Sequence, residues 1–340
     1  MRFFALSIIF FISFEALAGD ALKGRDIVLA GGDGNCLLCH AIPGASGPSG
    51  DIGPALAGVG SRLSAQSLRA WITDAARFNA GTIMPPYGKV DALHGVAPQY
   101  RGRPLLTEEQ IDDAAAFLAT LKEAGANPQP RSAGGETGAE LRRLQASDAE
   151  NPGMLWVDRG ARLWEQHCAS CHKEAASMKG VATRYPQRVE GKVVSLEEKI
   201  RQKLALPYES DELLGITAYV AMQSRGLPMG AGVAENEAEK GKAEYYRKRG
   251  QMNLACAHCH EQNWGKRLGA ETLSRGQGNG YPAYRLEWQK MGSLQRRLRA
   301  CMFGLHAEMP AYGAEALLEL ELFLAWRGQG LPVETPAVRR

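Results

Sequence analysis

Three Cys-x-x-Cys-His motifs, an amphipathic helix closing each surrounding segment, and a long internal repeat predict a mainly α fold: three small domains of the class I cytochrome c type. The motifs stand at Cys36–His40, Cys168–His172 and Cys256–His260. Two cysteines at this spacing can each form a thioether to a haem, and the adjacent histidine then lies against the iron. Cys36, Cys39, Cys168, Cys171, Cys256 and Cys259 are therefore the expected attachment points of three covalent haem c groups. His40, His172 and His260 are the expected proximal ligands. Zinc would need a fourth ligand for every Cys-Cys-His set. The lone histidines His94, His167, His258 and His306 are not spaced to supply them. Seven cysteines are present, so the motifs leave one over, Cys301.

Length and composition frame this. A chain of 340 residues suggests two or three domains, and 45% hydrophobic residues is ordinary for a globular protein. A net charge of +3 is too small to argue for nucleic acid. Residues 1–18 read as a signal peptide cleaved after Ala18. Arg2 supplies the positive start, Phe3 to Phe14 the apolar stretch, and Ala16-Leu17-Ala18 the cleavage site. Glu15 interrupts the run, which is too short to span comfortably as a membrane anchor. An exported, periplasmic chain with no stable membrane anchor is the expectation.

The first unit is expected over residues 19–125. A short helix with Gly24, Ile27 and Leu29 leads to the first motif, and a Gly/Pro-rich loop follows. Then comes Met84-Pro85-Pro86, and a final helix opened by a Thr107/Gln110 capping box. This order suits a one-haem cytochrome with His40 on one side of the iron and Met84 on the other. Met84 also has a plainer reading as a core methionine; its place before a stiff Pro-Pro favours the ligand. Residues 126–150 read as a linker, since 127–135 are rich in Pro, Gly and Ser and carry no apolar period.

The remainder repeats itself, over residues 151–232 and 233–340. Gly160 and Trp164 correspond to Gly241 and Tyr245, Tyr185-Pro186 to Tyr281-Pro282, and Ser195-Leu196 to Ser293-Leu294. The segment from Leu213 to Pro228 matches Leu317 to Pro332 at a constant offset of 104. On the same repeat Lys203 stands where Cys301 stands. Lys203 is thus a candidate sixth ligand at the second motif, with surface lysine as the plain alternative and Met178 as a rival ligand. A lysine ligand must first lose its proton, which a nearby metal ion favours.

Cys301 has two readings, a buried small hydrophobe or a reactive thiolate on the third iron. A thiolate needs a positive setting. Arg297 lies four residues earlier, on the same helical face, with Arg296 and Arg299 nearby.

These residues resemble the SoxXA cytochromes of bacterial sulfur oxidation in fused form. The SoxX-like part carries Gly34-Asn35-Cys36-Leu37-Leu38-Cys39-His40, Asp51-Ile52-Gly53-Pro54 and Met84-Pro85. The SoxA-like dihaem part carries Ser177-Met178-Lys179-Gly180-Val181-Ala182, Ser224-Arg225-Gly226, Arg285-Leu286-Glu287-Trp288 and Gly292-Ser293-Leu294-Gln295-Arg296-Arg297 running to Cys301. The resemblance implies an L-cysteine S-thiosulfotransferase. Such an enzyme joins thiosulfate oxidatively to a cysteine of a SoxYZ-type carrier protein and passes two electrons to a cytochrome c acceptor. It further implies that Cys301 ligates the active-site haem, with Arg297 and Arg327 holding thiosulfate. Two departures stand out: SoxX and SoxA are usually separate chains, and two-haem SoxA proteins usually have cysteine where Lys203 stands. The rival readings are a thiosulfate dehydrogenase forming tetrathionate, and a multihaem electron carrier with no chemistry of its own.

Overall fold

The computed structural model describes residues 19–30, 34–123, 138–230 and 232–340. The leader expected over 1–18 lies outside these residues, as does most of the expected linker.

The first unit comprises α1 (Ala21–Leu29), the first motif as a 3-10 turn, α2 (Val59–Arg62), α3 (Ala65–Asp74) and α4 (Glu108–Thr120). The capping box opens α4, with the Thr107 side chain and Gln110 each accepting from the other's backbone N–H. Helices α1 and α4 cross at a glycine. A Cβ added to Gly24 would lie 1.9 Å from the Asp113 carbonyl oxygen, so only glycine permits this approach. Val28, one turn on, packs with Phe117 in the core of the unit.

In the stretch expected as linker, residues 138–146 form helix α5. None of its residues is buried, which is why no apolar period announces it. Gln145 at its end accepts from Val338 N and Arg339 Nη1, and Asn151 Nδ2 donates to Pro336 O.

The repeat is carried into three dimensions. Its first half holds α6 (Met154–His167), α7 (Ala169–His172), the antiparallel hairpin β1 (Gln187–Val189) and β2 (Lys192–Val194), α8 (Leu196–Leu204) and α9 (Asp211–Met222). Its second half holds α10 (Glu239–Tyr246), α11 (Cys256–His260), a short hairpin β3 (Arg267–Leu268) and β4 (Glu271–Thr272), the hairpin β5 (Ala283–Arg285) and β6 (Lys290–Gly292), α12 (Leu294–Gly304) and α13 (Glu315–Arg327). Strand β7 (Ala337–Arg339) then adds in parallel to β5. Ser195 and Ser293 cap α8 and α12 in the same way. The glycine crossing also recurs. Gly160 meets Gly215, and Gly241 meets Glu319 with its added Cβ only 1.9 Å from a carbonyl oxygen. The paired aromatics pack beside each crossing, Trp164 on Tyr219 and Tyr245 on Phe323.

The halves join through their tails. Pro228 and Pro332 form an antiparallel bridge, extended by Met229 N to Leu331 O and Val333 N to Leu227 O. The buried Glu319 receives two bonds from Arg188 of the other half, at 3.0 and 2.9 Å. Between the halves lies a cavity of about 90 Å³, lined among others by Glu197, Thr217, Tyr281 and Glu321. Burial, partly offset by the hydrogen bond with Gln295, pushes the Glu321 carboxyl up to about 7. Burial and the charges of Glu321, Glu209 and Glu198 push the Glu197 carboxyl well above the usual carboxylate range.

The first unit docks on the second half of the repeat, largely through main chain. Ala97 N donates to His306 O at 3.0 Å, Glu308 N to Gly95 O at 2.7 Å, and Gly250 N to His94 O at 2.9 Å. Tyr100 stacks on His306 with centroids 4.0 Å apart. Gln251 Nε2 donates to Tyr100 O and Arg103 O. A second contact joins the two loops beside the motifs: Gly269 N donates to Leu38 O, and Arg267 N to Asp51 Oδ1. Among the described residues no helix is long and apolar enough to cross a membrane.

Candidate functional site

The first and third motifs share one local design. His40 Nδ1 donates to Pro54 O at 2.7 Å, and His260 Nδ1 donates to Ser274 O at 2.8 Å. This bond places the proton on Nδ1 and leaves Nε2 as the nitrogen with an available lone pair. A glycine lies flat against each ring. A Cβ at Gly53 would stand 2.3 Å from His40 Cε1, and one at Gly276 would stand 2.8 Å from His260 Cγ. Burial pushes Cys36 up to about 12 and Cys39, Cys256 and Cys259 up to about 11. Among the described residues no three His, Cys, Asp or Glu side chains converge as a metal-ion site would require. Two of the lone histidines have side-chain partners: His258 Nδ1 accepts from Ala255 N, and His306 bonds Gln251 in the docking seam.

Met84 sits in a loop fastened at both sides. Its N–H donates to Thr82 Oγ1, and Tyr87 Oη donates to Gly34 O beside the first motif. Its side chain is half-buried with Cys36 and Leu37 against the core of the first unit. The Met84 thioether and Cys36 of the first motif thus pack against one core.

The second motif differs. Cys171 and His172 are exposed. Met178 packs with Cys168, Ala175, Leu196, Ile200 and Leu204 around Trp164. Lys203, on α8, is exposed and makes no hydrogen bond or ion pair among the described residues.

Cys301 lies on α12 against the third motif. Burial pushes its thiol up, but the hydrogen bond with His260 and the charges of Arg297, His260 and Arg285 outweigh burial and hold it below the usual thiol range. Arg297 is half-buried, and its guanidinium makes no hydrogen bond or ion pair among the described residues. It keeps its proton against burial through the thiol, Tyr281, Glu287 and Glu271. The structure therefore brings Cys301, His260 and Arg297 together. Arg327 is engaged differently: its guanidinium donates to Arg275 O and, at 3.2 Å, to His260 O, and lies over the Tyr245 ring. It braces the motif's backbone. Arg285 joins the site without having been singled out in the sequence, where only the string Arg285-Leu286-Glu287-Trp288 marked it.

Comparison with known proteins now becomes informative. Residues 158–229 match the SoxA/TsdA cytochrome c domain family, and residues 21–122 match the cytochrome c family. The L-cysteine S-thiosulfotransferase subunit SoxA of Pseudaminobacter salicylatoxidans is 41% identical, across 59% of this chain and 78% of that protein. SoxA of Paracoccus pantotrophus is 36% identical, across 58% of this chain and 75% of that protein. The crystal structure of SoxXA from P. pantotrophus superposes with a TM-score of 0.57 at 33% identity, covering 59% of this chain and 84% of that one. Cytochrome c domains carry covalently bound haem c, and the pockets around the first and third motifs fit it: apolar, with oriented histidines and glycines cleared from their rings. On the identity and extent of these matches, the chain belongs to the SoxA family of L-cysteine S-thiosulfotransferase subunits.

Proposed function

We propose that this chain joins thiosulfate to a cysteine thiol of a SoxYZ-type carrier protein and passes the electrons to a cytochrome c. The observation that carries the reading is Cys301. It is a thiol of heightened acidity, hydrogen-bonded to the motif histidine His260, beside an arginine with an uncommitted guanidinium. A carrier with no chemistry of its own leaves that arrangement without a use. The balance is R–SH plus S₂O₃²⁻ giving R–S–S–SO₃⁻, one proton and two electrons. One S–S bond forms, and two molecules of oxidised cytochrome c are reduced.

In this reading three haem c groups are held, through Cys36 and Cys39, Cys168 and Cys171, and Cys256 and Cys259. Bound haem supplies one-electron acceptance. The chain's own residues do the rest. Arg297 receives the thiosulfate dianion in a setting partly removed from water, where a fixed cation acts strongly. His260 and the arginines hold the Cys301 thiol below its ordinary range, and it serves as ligand and reactive sulfur at the third site. Arg327 positions the third motif by holding the His260 carbonyl. Residues 19–125 act as a SoxX-like electron relay with His40 and Met84 as ligands. Two supports for that relay are its cytochrome c match and the loop contact between Leu38 and Gly269. At the second site Met178 lies inside the apolar cluster, whereas Lys203 needs only to swing from solvent to reach a haem there. The cleaved leader delivers the protein to the periplasm.

The test is turnover of purified holoprotein with thiosulfate, a carrier thiol and oxidised cytochrome c, wild type against Cys301→Ala. Wild type is expected to reduce the cytochrome and to add the thiosulfonate mass to the carrier, and the variant to do neither. Equal inertness of both proteins to thiosulfate would sink the reading. Tetrathionate as the sole product would reassign the enzyme as a dehydrogenase.

A further inference from the structure

One arginine at the third site has a donor with nothing to receive it. Arg285 ends β5 and is only 6% exposed. It is held in register by Lys290 on one side and Arg339 on the other. Its Nη2 donates to Glu287 Oε2 at 3.1 Å. Its guanidinium carbon lies 5.0 Å from the centre of the Trp288 ring, which Arg296 also covers at 4.3 Å. Its Nε–H is cut off from solvent and has no acceptor among the described residues. A buried charged donor left unmet is unfavourable, so its persistence points to an acceptor supplied from outside the chain. Glu287 does not fill that place. It is itself half-exposed and meets only the outer edge of the guanidinium.

The repeat supplies an internal control. Val189 ends β1 as Arg285 ends β5, since the two pair with Lys192 and Lys290 at matching points of their hairpins. Val189 is 44% exposed. The hairpin therefore folds without a cation at this point of the strand. The charge of Arg285 also reaches Cys301.

We infer that Arg285 Nε–H anchors an oxyanion at the third site, supplied either by a carboxylate of the haem held at Cys256 and Cys259 or by the sulfonate of thiosulfate. Both present oxygens that want a desolvated, directional donor, and a buried guanidinium held through Nη2 and lying over the Trp288 ring offers one with little further ordering. The inference rests on reading the third motif as a haem site and Cys301 as the thiosulfate site.

The experiment uses full-length holoprotein carrying Arg285→Met or Arg285→Lys. Haem content is measured first, then the potential of each haem against pH, then thiosulfate kinetics. With a haem carboxylate as the partner, Arg285→Met lowers the third-site potential and gives it a pH dependence as the freed carboxylate titrates. The other potentials and the thiosulfate KM stay put. With the sulfonate as the partner, thiosulfate kcat/KM falls by about tenfold or more while the potentials hold. Arg285→Lys keeps the charge but not the fork, lies between wild type and Arg285→Met, and carries the test should the methionine variant fail to load haem. A fully loaded Met variant with wild-type third-site potential and wild-type thiosulfate kcat/KM overturns the inference. A wild type that carries no haem at the third motif sinks the underlying reading instead, and the two failures are separate.

Discussion

The two halves of the repeat are built alike and equipped differently. Each crosses its first and last helices at a glycine, turns through a short hairpin and starts the next helix on a capping serine. Around the second motif Cys171 and His172 are exposed, and α8 presents Lys203 outward. Around the third motif the histidine is clamped by Ser274, the same point of the next helix carries Cys301, and arginines gather. The lesson is that one backbone plan accommodates two different settings, and the difference lies in a few side chains on α12 and β5.

The largest expected effect breaks the comparison at its equivalent points. Replacing Lys203 with Ala should leave thiosulfate turnover within about twofold, as expected of a surface change, while Arg297→Gln should lower kcat/KM by about 10² to 10³, the range for losing a preorganised charge donor. Steady-state kinetics on the two variants decides this, and comparable losses would mean that the halves share the work. The next effect tests their likeness. Gly160→Ala and Gly241→Ala should both overpack a helix crossing, each at about 1–3 kcal/mol, or roughly 2–12 °C in Tm. If only one variant melts early, the crossings are not equivalent.

The smallest effect concerns the cavity that separates the halves. Glu321 has a folded pKa raised to about 7, so its neutral form favours the folded state. That contribution is fully present below the ordinary carboxylate range and is lost as pH rises through about 7. Tm of the wild type should therefore decline from pH 5 to pH 8. Glu321→Gln, which keeps the shape without the proton, should flatten that decline. Melting curves with the same slope in both proteins would remove the carboxyl from the account.

What the sequence made legible was local. Motif spacing, capping serines and the glycine-aromatic pairs are all set by neighbours a few residues away, and each appears where its pattern placed it. The repeat was readable because both copies obey the same backbone constraints. Contacts distant in sequence were not readable. Helix α5 has no buried face and is fixed by Gln145 reaching residues 338 and 339. Arg327 and Arg285 look alike in the sequence. Only packing shows that the first guanidinium is occupied by backbone carbonyls and the second retains an unmet donor.

The docking seam has a consequence for how electron transfer responds to concentration. Two separate cytochromes meet only as often as their abundance and affinity allow, and ionic strength or dilution parts them. Here the partners are segments of one chain, and the ladder of main-chain bonds from Gly95 and Ala97 to His306 and Glu308 closes within a single molecule. Joining two partners in one chain sets an effective concentration on the order of millimolar. A contact of modest intrinsic strength then answers to no dilution, and the interface is free to remain small and polar.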